Sequence, residues 1–177
     1  MVKRISDVDV SKIDKSEIFF IDANVLFAIH FELSTWSRDK IKAYSSFVLA
    51  LLENGVIICV SALNLQEVYH LVEKIECQNY IEAHTDIKPK AYRRIAVERS
   101  RIAQDLRNKH LEIAGQYSII SSFIDSNMIE NFIGKYESHS YDPIDFFTVK
   151  YNEKKCVNFI TNDADFRRDS NINVYCQ

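Results

Sequence analysis

The chain has 177 residues, 47% hydrophobic and 27% charged, which suits one well-cored domain and excludes a disordered polyelectrolyte. Its net charge of −3 is too mild to name a partner, and its 3 glycines, Gly55, Gly115 and Gly134, stand too far apart for a dinucleotide fingerprint or a phosphate loop. The cysteines Cys59, Cys77, Cys156 and Cys176 have no metal-type spacing and read as reduced thiols of a cytoplasmic protein.

Residues 1–17 mix charges with isolated aliphatic residues and specify no element. "IFFI" (18–21) is a continuous apolar run, expected of a strand buried on both faces. "ANVLFAIHFE" follows with helical spacing. Asp22, Asn24 and His30 interrupt this apolar region, so no membrane span and no cleavable signal are expected. Residues 36–54 read as an amphipathic helix stopped at Gly55. "VIICV" (56–60) is a second buried strand, after which Ser61 caps a helix through "ALNLQEVYHLVEKIE". Residues 88–113 carry one long helical pattern, and 117–124 a possible strand. "DSNMIENFIGKY" reads as a short helix capped by Asp125 or Ser126. Asp142 followed by Pro143 is a strong start for the next helix. "CVNFIT" and "INVYC" complete the strands. Alternating buried strands and helices predict a single three-layer α/β/α domain over residues 1–177 with a central, mainly parallel sheet.

In such a sheet, ligands bind where the strands run out. Asp22 directly follows "IFFI", and Asp163 and Asp165 directly follow "NFIT". Glu67 lies early in the helix after "VIICV", and Asp145 in the first turn of the helix opened by Asp142. Each acid has an ordinary explanation alone, as a cap, a turn residue or a solvated helix residue. Together they bring like charges to one edge, which a hard divalent cation such as Mg²⁺ or Mn²⁺ would neutralise. The chemistry that suits such a site is phosphodiester hydrolysis.

These residues resemble a known pattern. "FFIDANVLFAIH" is similar to the opening of a PIN domain, "SALNLQEVYHLV" to the segment carrying that family's glutamate, and "DPIDFFTVKYNEKKCVNFITNDADF" to its last signature. The spacing within that signature selects Asp145 rather than Asp142. The resemblance implies a metal-dependent endoribonuclease with Asp22, Glu67, Asp145 and Asp163 as the acidic set and Mg²⁺ or Mn²⁺ held by Asp22, Asp145 and Asp163. It implies auxiliary roles for Asn24, Thr161 and Asp165. It also admits the toxin of a toxin–antitoxin pair, with an antitoxin partner and a homodimer. The interval from Glu67 to Asp145 and the residues before the first strand are longer than in the small VapC-type toxins.

That interval holds a basic helical insertion around 85–113. Residues 88–110 carry eight Lys or Arg against two acids, and at about 100° per residue Lys90, Arg94 and Arg101 share a face opposite Ala91, Ile95, Ile102 and Leu106. RNA would be drawn to such a face, with Arg167 and Arg168 nearer the acids. Tyr92 is read as core or as a base-stacking residue, and His70 as structural. Two rival readings stand beside it: a catalytically silent RNA-binding or assembly module on the same fold, and a phosphotransfer or phosphatase-like α/β domain with Asp22 as nucleophile. The second lacks an aspartate two residues on, where Asn24 stands.

Overall fold

The apolar runs become short strands of one sheet in the computed structural model, which describes residues 1–84, 87–138 and 141–177. The strands are β1 (Val2–Arg4), β2 (Ile18–Ile21), β3 (Ile57–Ser61), β4 (Ser118–Ile120), β5 (Asn158–Ile160) and β6 (Asn173–Cys176). The helices are α1 (Ala23–His30), α2 (Arg38–Glu53), α3 (Ala62–Ala83), α4 (Pro89–Tyr92), α5 (Ala96–Gln116), α6 (Ser126–Lys135) and α7 (Pro143–Lys150). Spatial order is β1-β6-β5-β2-β3-β4, and every pairing is parallel.

Residues alternate across the sheet with the period of two that a strand requires. Phe19, Ile21, Ile58, Val60 and Tyr175 face a core shared with α1, α2, α3 and the end of α5. Phe20, Cys59, Phe159 and Val174 face a second core, filled by Phe146 and Phe147 of α7 and flanked by Met128 and Phe132 of α6. The sheet is thus covered on both faces, giving the three-layer α/β/α architecture expected from the sequence. Each fully buried phenylalanine contributes about 1.5–3 kcal/mol of apolar transfer.

The start and stop signals act as the sequence suggests. Gly55 takes φ +80°, where a β-carbon is unfavourable, and ends α2. The Ser61 hydroxyl accepts from the Asn64 N–H at 3.0 Å, and the Asp142 carboxylate accepts from the Asp145 N–H at 2.9 Å. Asp125, not Ser126, caps α6.

Two expectations are corrected, and the N-terminal residues, left without an element by the sequence, gain one. The N-terminal residues form β1, a three-residue edge strand paired with β6, followed by 3₁₀ turns at Ile5–Asp7 and Val10–Lys12. The strand within 117–124 is only Ser118–Ile120. The single helix over 88–113 is two helices, α4 and α5, separated by a turn at Arg93–Ile95. Tyr92 of α4 and Ile102 of α5, on either side of the turn, are both buried in a small third core with Cys77. Residues 85 and 86, where the insertion was expected to begin, lie outside the described residues.

The chain order sets the site. From β2 the chain crosses to β3 on one side, whereas β5 lies on the other. The β2–β5 boundary is therefore the switch point at which open parallel sheets bind ligands. Ile21 pairs with Ile160, so the first residues beyond the two strands are Asp22 and Thr161.

Candidate active site

Asp22 is buried where β2 gives way to α1. Its carboxylate caps α1 through the Ala23 N–H at 2.7 Å and accepts from the Asn64 amide at 3.2 Å. The other oxygen accepts from the Thr161 hydroxyl at 2.7 Å and the Asn24 amide at 2.5 Å. Asn24 also accepts from the Asn162 N–H at 3.3 Å, and Thr161 accepts from the Asp163 N–H at 2.9 Å. Neutral donors thus tie β2, α1, α3 and the loop after β5 into one frame around a single carboxylate. Asn24 and Thr161 each donate to the same oxygen of Asp22.

Asp145 is 8% exposed, and its carboxyl accepts no hydrogen bond from the described residues. Asp142, by contrast, is exposed and caps α7. Burial pushes the Asp145 carboxyl up to about 9, reinforced by the charges of Asp22, Asp142, Asp163 and Glu67. Burial likewise raises Asp22 to about 6, with Asp163 and Asp142 adding to it against the opposing hydrogen bonds from Thr161 and the Ala23 N–H. Glu67 rises to about 7 through lost hydration and then the charges of Asp22, Asp142 and Asp163. Glu67 is exposed by surface area, so repulsion from the aspartates is the firmer part of that shift. Asp163 accepts the Asp165 N–H at 2.8 Å and lies at the same edge.

Comparison with protein-family models, curated proteins and solved structures finds no match. The functional reading therefore stands on these residues themselves.

The carboxylates suit a hard divalent cation in chemistry and charge: oxygen donors from separate segments, with neighbouring acids helping to raise Asp22, Glu67 and Asp145. Their placement is open. Among the described residues, no group of three His, Cys, Asp or Glu side chains is drawn together as a ready ligand set. Asp22 is also committed to hydrogen bonds on both oxygens.

The basic residues separate into distinct groups. Arg101 is clasped by Glu76 at 2.6 Å, Glu98 at 3.1 Å and Asp105 at 3.4 Å. Its guanidinium fastens α5 to α3, and its hydrogen bond to Glu76 leads the rise in its basicity. The turn at Arg93–Ile95 removes the helical phase that aligned Lys90 and Arg94 with Arg101, although Lys90 and Arg94 remain exposed. Ala91, expected to pack, is exposed. Tyr92 is core rather than a stacking platform. Arg167 and Arg168 both lie in the 3₁₀ turn that follows Asp163 and are exposed. Arg168 lines a cavity of about 560 Å³ with Tyr141, Lys150 and Asp169.

Sequence reasoning passed over the buried polar residues Asn64, Thr148 and His30. Asn64 is fully buried and joins Asp22 to Thr148 of α7, whose hydroxyl donates to it at 3.1 Å. Its position three residues before Glu67, on the same side of α3, was the available signal. His30 is buried between Glu112 at 3.0 Å and the Tyr117 hydroxyl at 2.9 Å, tying α1 to the end of α5.

Proposed function

We propose that the chain is a metal-dependent endoribonuclease hydrolysing RNA phosphodiester bonds. The observation that carries this is the carboxyl of Asp145: buried, without a hydrogen-bond donor among the described residues, and surrounded by the charges of Asp22, Glu67, Asp142 and Asp163. Such an arrangement is costly unless a cation offsets it. Asp22, Asp145 and Asp163 are the residues to hold Mg²⁺ or Mn²⁺, with Asp165 beside them. The cation's chemistry is to acidify a water and offset charge gathering on the phosphate. Asn24, Thr161 and Asn64 keep the Asp22 carboxylate oriented, and Glu67 orients the attacking water. Arg167 and Arg168, exposed in the turn after Asp163, are the residues to meet the RNA backbone, with exposed Lys90 and Arg94 as further candidates and Arg101 withdrawn by its acidic partners. A toxin of a toxin–antitoxin pair, with an antitoxin partner, a homodimeric form and a cytoplasmic setting, is the specific form of this reading. Among the described residues, no helix is long and apolar enough to cross a membrane.

The test is cleavage of labelled RNA in Mg²⁺ or Mn²⁺, with EDTA and Asp22→Asn as controls. Cleavage undiminished in both controls would falsify the metal mechanism. The open placement of the acids and the hydrogen bonds on Asp22 favour one rival, a silent RNA-binding module on the same fold. Binding of RNA that persists in EDTA, with no cleavage of varied RNAs under either cation, selects it.

A further inference from the structure

Trp36, Lys40 and Tyr44 recur every four residues along one side of α2 and the residue preceding its Ser37 cap. The Tyr44 phenol fixes this side to the acidic loop. It lies 3.3 Å from the Thr161 carbonyl and 3.4 Å from the Asn162 side-chain oxygen as a donor, and accepts from the Gln177 N–H at 3.0 Å. The Trp36 and Tyr44 rings are 5.3 Å apart. Lys40 lies along the indole with its ammonium 3.9 Å from the ring centre, a cation–π contact that holds a flexible side chain in place. Burial lowers the affinity of this ammonium for its proton, and the Arg167 guanidinium lowers it further. Arg167 comes from the 3₁₀ turn that continues the Thr161–Asn162 segment held by Tyr44, so α2 and this turn each carry a positive charge beside the acidic loop. Among the described residues, neither cation is in an ion pair with a carboxylate. Arg101, also singled out from the sequence, is by contrast saturated with acids.

We propose that Lys40, positioned by Trp36, and Arg167 form a subsite for a backbone phosphate of single-stranded RNA, adjacent to the phosphate presented to the carboxylates. The subsite rests on the ribonuclease reading and extends it to substrate placement. A held Lys40 and an exposed Arg167, both without a carboxylate partner among the described residues, let a polyanion reach a surface that would otherwise repel it. Trp36 is a positioning residue: it holds the ammonium and contacts no phosphate.

The experiment measures binding without cleavage. Fluorescein-labelled single-stranded RNA is titrated into the protein in EDTA at increasing KCl, with anisotropy as the readout. Each phosphate contact contributes about 0.7 to the slope of log affinity against log salt. Lys40→Met keeps the apolar stem over the indole, and Arg167→Gln alters an exposed position. Each is expected to reduce the slope by about 0.7 and weaken binding roughly threefold to tenfold near 0.1 M salt. Lys40→Arg restores the slope, and Arg107→Gln, on the exposed side of α5, leaves it unchanged. Trp36 is the only tryptophan, so its emission reports the subsite directly and should move with RNA in the wild type but much less in Lys40→Met. Equal slopes in wild type, Lys40→Met and Arg167→Gln, or RNA bound with unmoved Trp36 emission, overturn the subsite. Failure of the wild type to bind RNA overturns it too. Cleavage by wild type in Mg²⁺ or Mn²⁺ then tells whether the nuclease reading falls with it.

Discussion

Replacing Asp145 by asparagine should make the cation-free protein more stable, although it removes a residue of the proposed site. The carboxyl titrates near 9 in the folded chain, raised by burial and by Asp22, Asp142, Asp163 and Glu67. An unfolded aspartate titrates near 3.9. A group whose folded value lies above its unfolded value keeps its proton in the native state alone across that window. Stability is therefore highest below about pH 4 and falls as pH rises toward about 9. At neutral pH the unfolded value lies about three units below ambient, which sets a ceiling of roughly 4 kcal/mol on the cost. Side-chain movement and repulsion shared among several acids reduce this, so a gain of about 1–3 kcal/mol is expected from Asp145→Asn. For a chain of this size that is a rise of about 2–10 °C in Tm. The substitution keeps the shape of the side chain and places an amide donor among carboxylate acceptors. The assay is thermal unfolding followed by far-UV circular dichroism in EDTA, from about pH 4 to about pH 9, for both proteins. The gain should be absent at the acidic end and grow toward the alkaline end. Equal or lower stability of Asp145→Asn at about pH 8, with parallel pH profiles, refutes the clustering of charge on this carboxyl.

Mg²⁺ or Mn²⁺ at about 100-fold above its dissociation constant should stabilise the wild type by about 2.7 kcal/mol in the same assay and Asp145→Asn by much less. Asn64→Ala should cost about 1–3 kcal/mol, read from denaturant midpoints, because Asp22 and Thr148 lose a buried partner together. His30 binds its proton less readily than a free imidazole, through burial first, with Lys109 adding and Glu112 opposing. Its contribution is thus present above about pH 6.5 and lost as pH falls. His30→Gln should flatten the acid side of the stability profile. Arg101→Ala should cost less than about 1 kcal/mol by chemical denaturation, because its partners are surface ion pairs on α3 and α5.

The elements that were readable are those whose local chemistry and burial agree. "IFFI" lies at the middle of the sheet and is apolar throughout, as a doubly covered strand must be. Asp142–Pro143 starts α7 because a capping oxygen and a fixed φ act on adjacent residues whatever surrounds them. β1 was not readable: its three residues carry two charges, and only its pairing with β6 makes it a strand. The break between α4 and α5 was hidden for a related reason. Residues 88–110 keep helical spacing of apolar and basic residues through the turn, and only the tertiary core shared by Tyr92 and Ile102 accompanies the change of direction. Helical phase counted through that stretch therefore carried no information about which basic residues share a face.

The acids could be placed from sequence because strand ends in a parallel sheet share an edge. The groups that hold them could not, because a buried amide or hydroxyl leaves no periodic or charge signature. Asn64 makes the point. It reads as an ordinary polar residue in the first turn of α3, yet its amide donates to Asp22 and its carbonyl accepts from Thr148. Its oxygen also lies against the hydroxyl of Ser61, the cap of its own helix. Through this one side chain the end of β3, the start of α1 and the middle of α7 are fixed to one another. Neutral hydrogen bonds thus link Asp22 to the helix that carries Asp145, while the carboxylates repel one another. A frame of this kind keeps repelling charges close without a cation present, and its removal should let them separate. Asn64→Ala should accordingly bring the stability profile of the wild type toward that of Asp145→Asn on the alkaline side, even as it lowers stability at every pH. A uniform loss, with the alkaline slope unchanged, would show that Asn64 only packs.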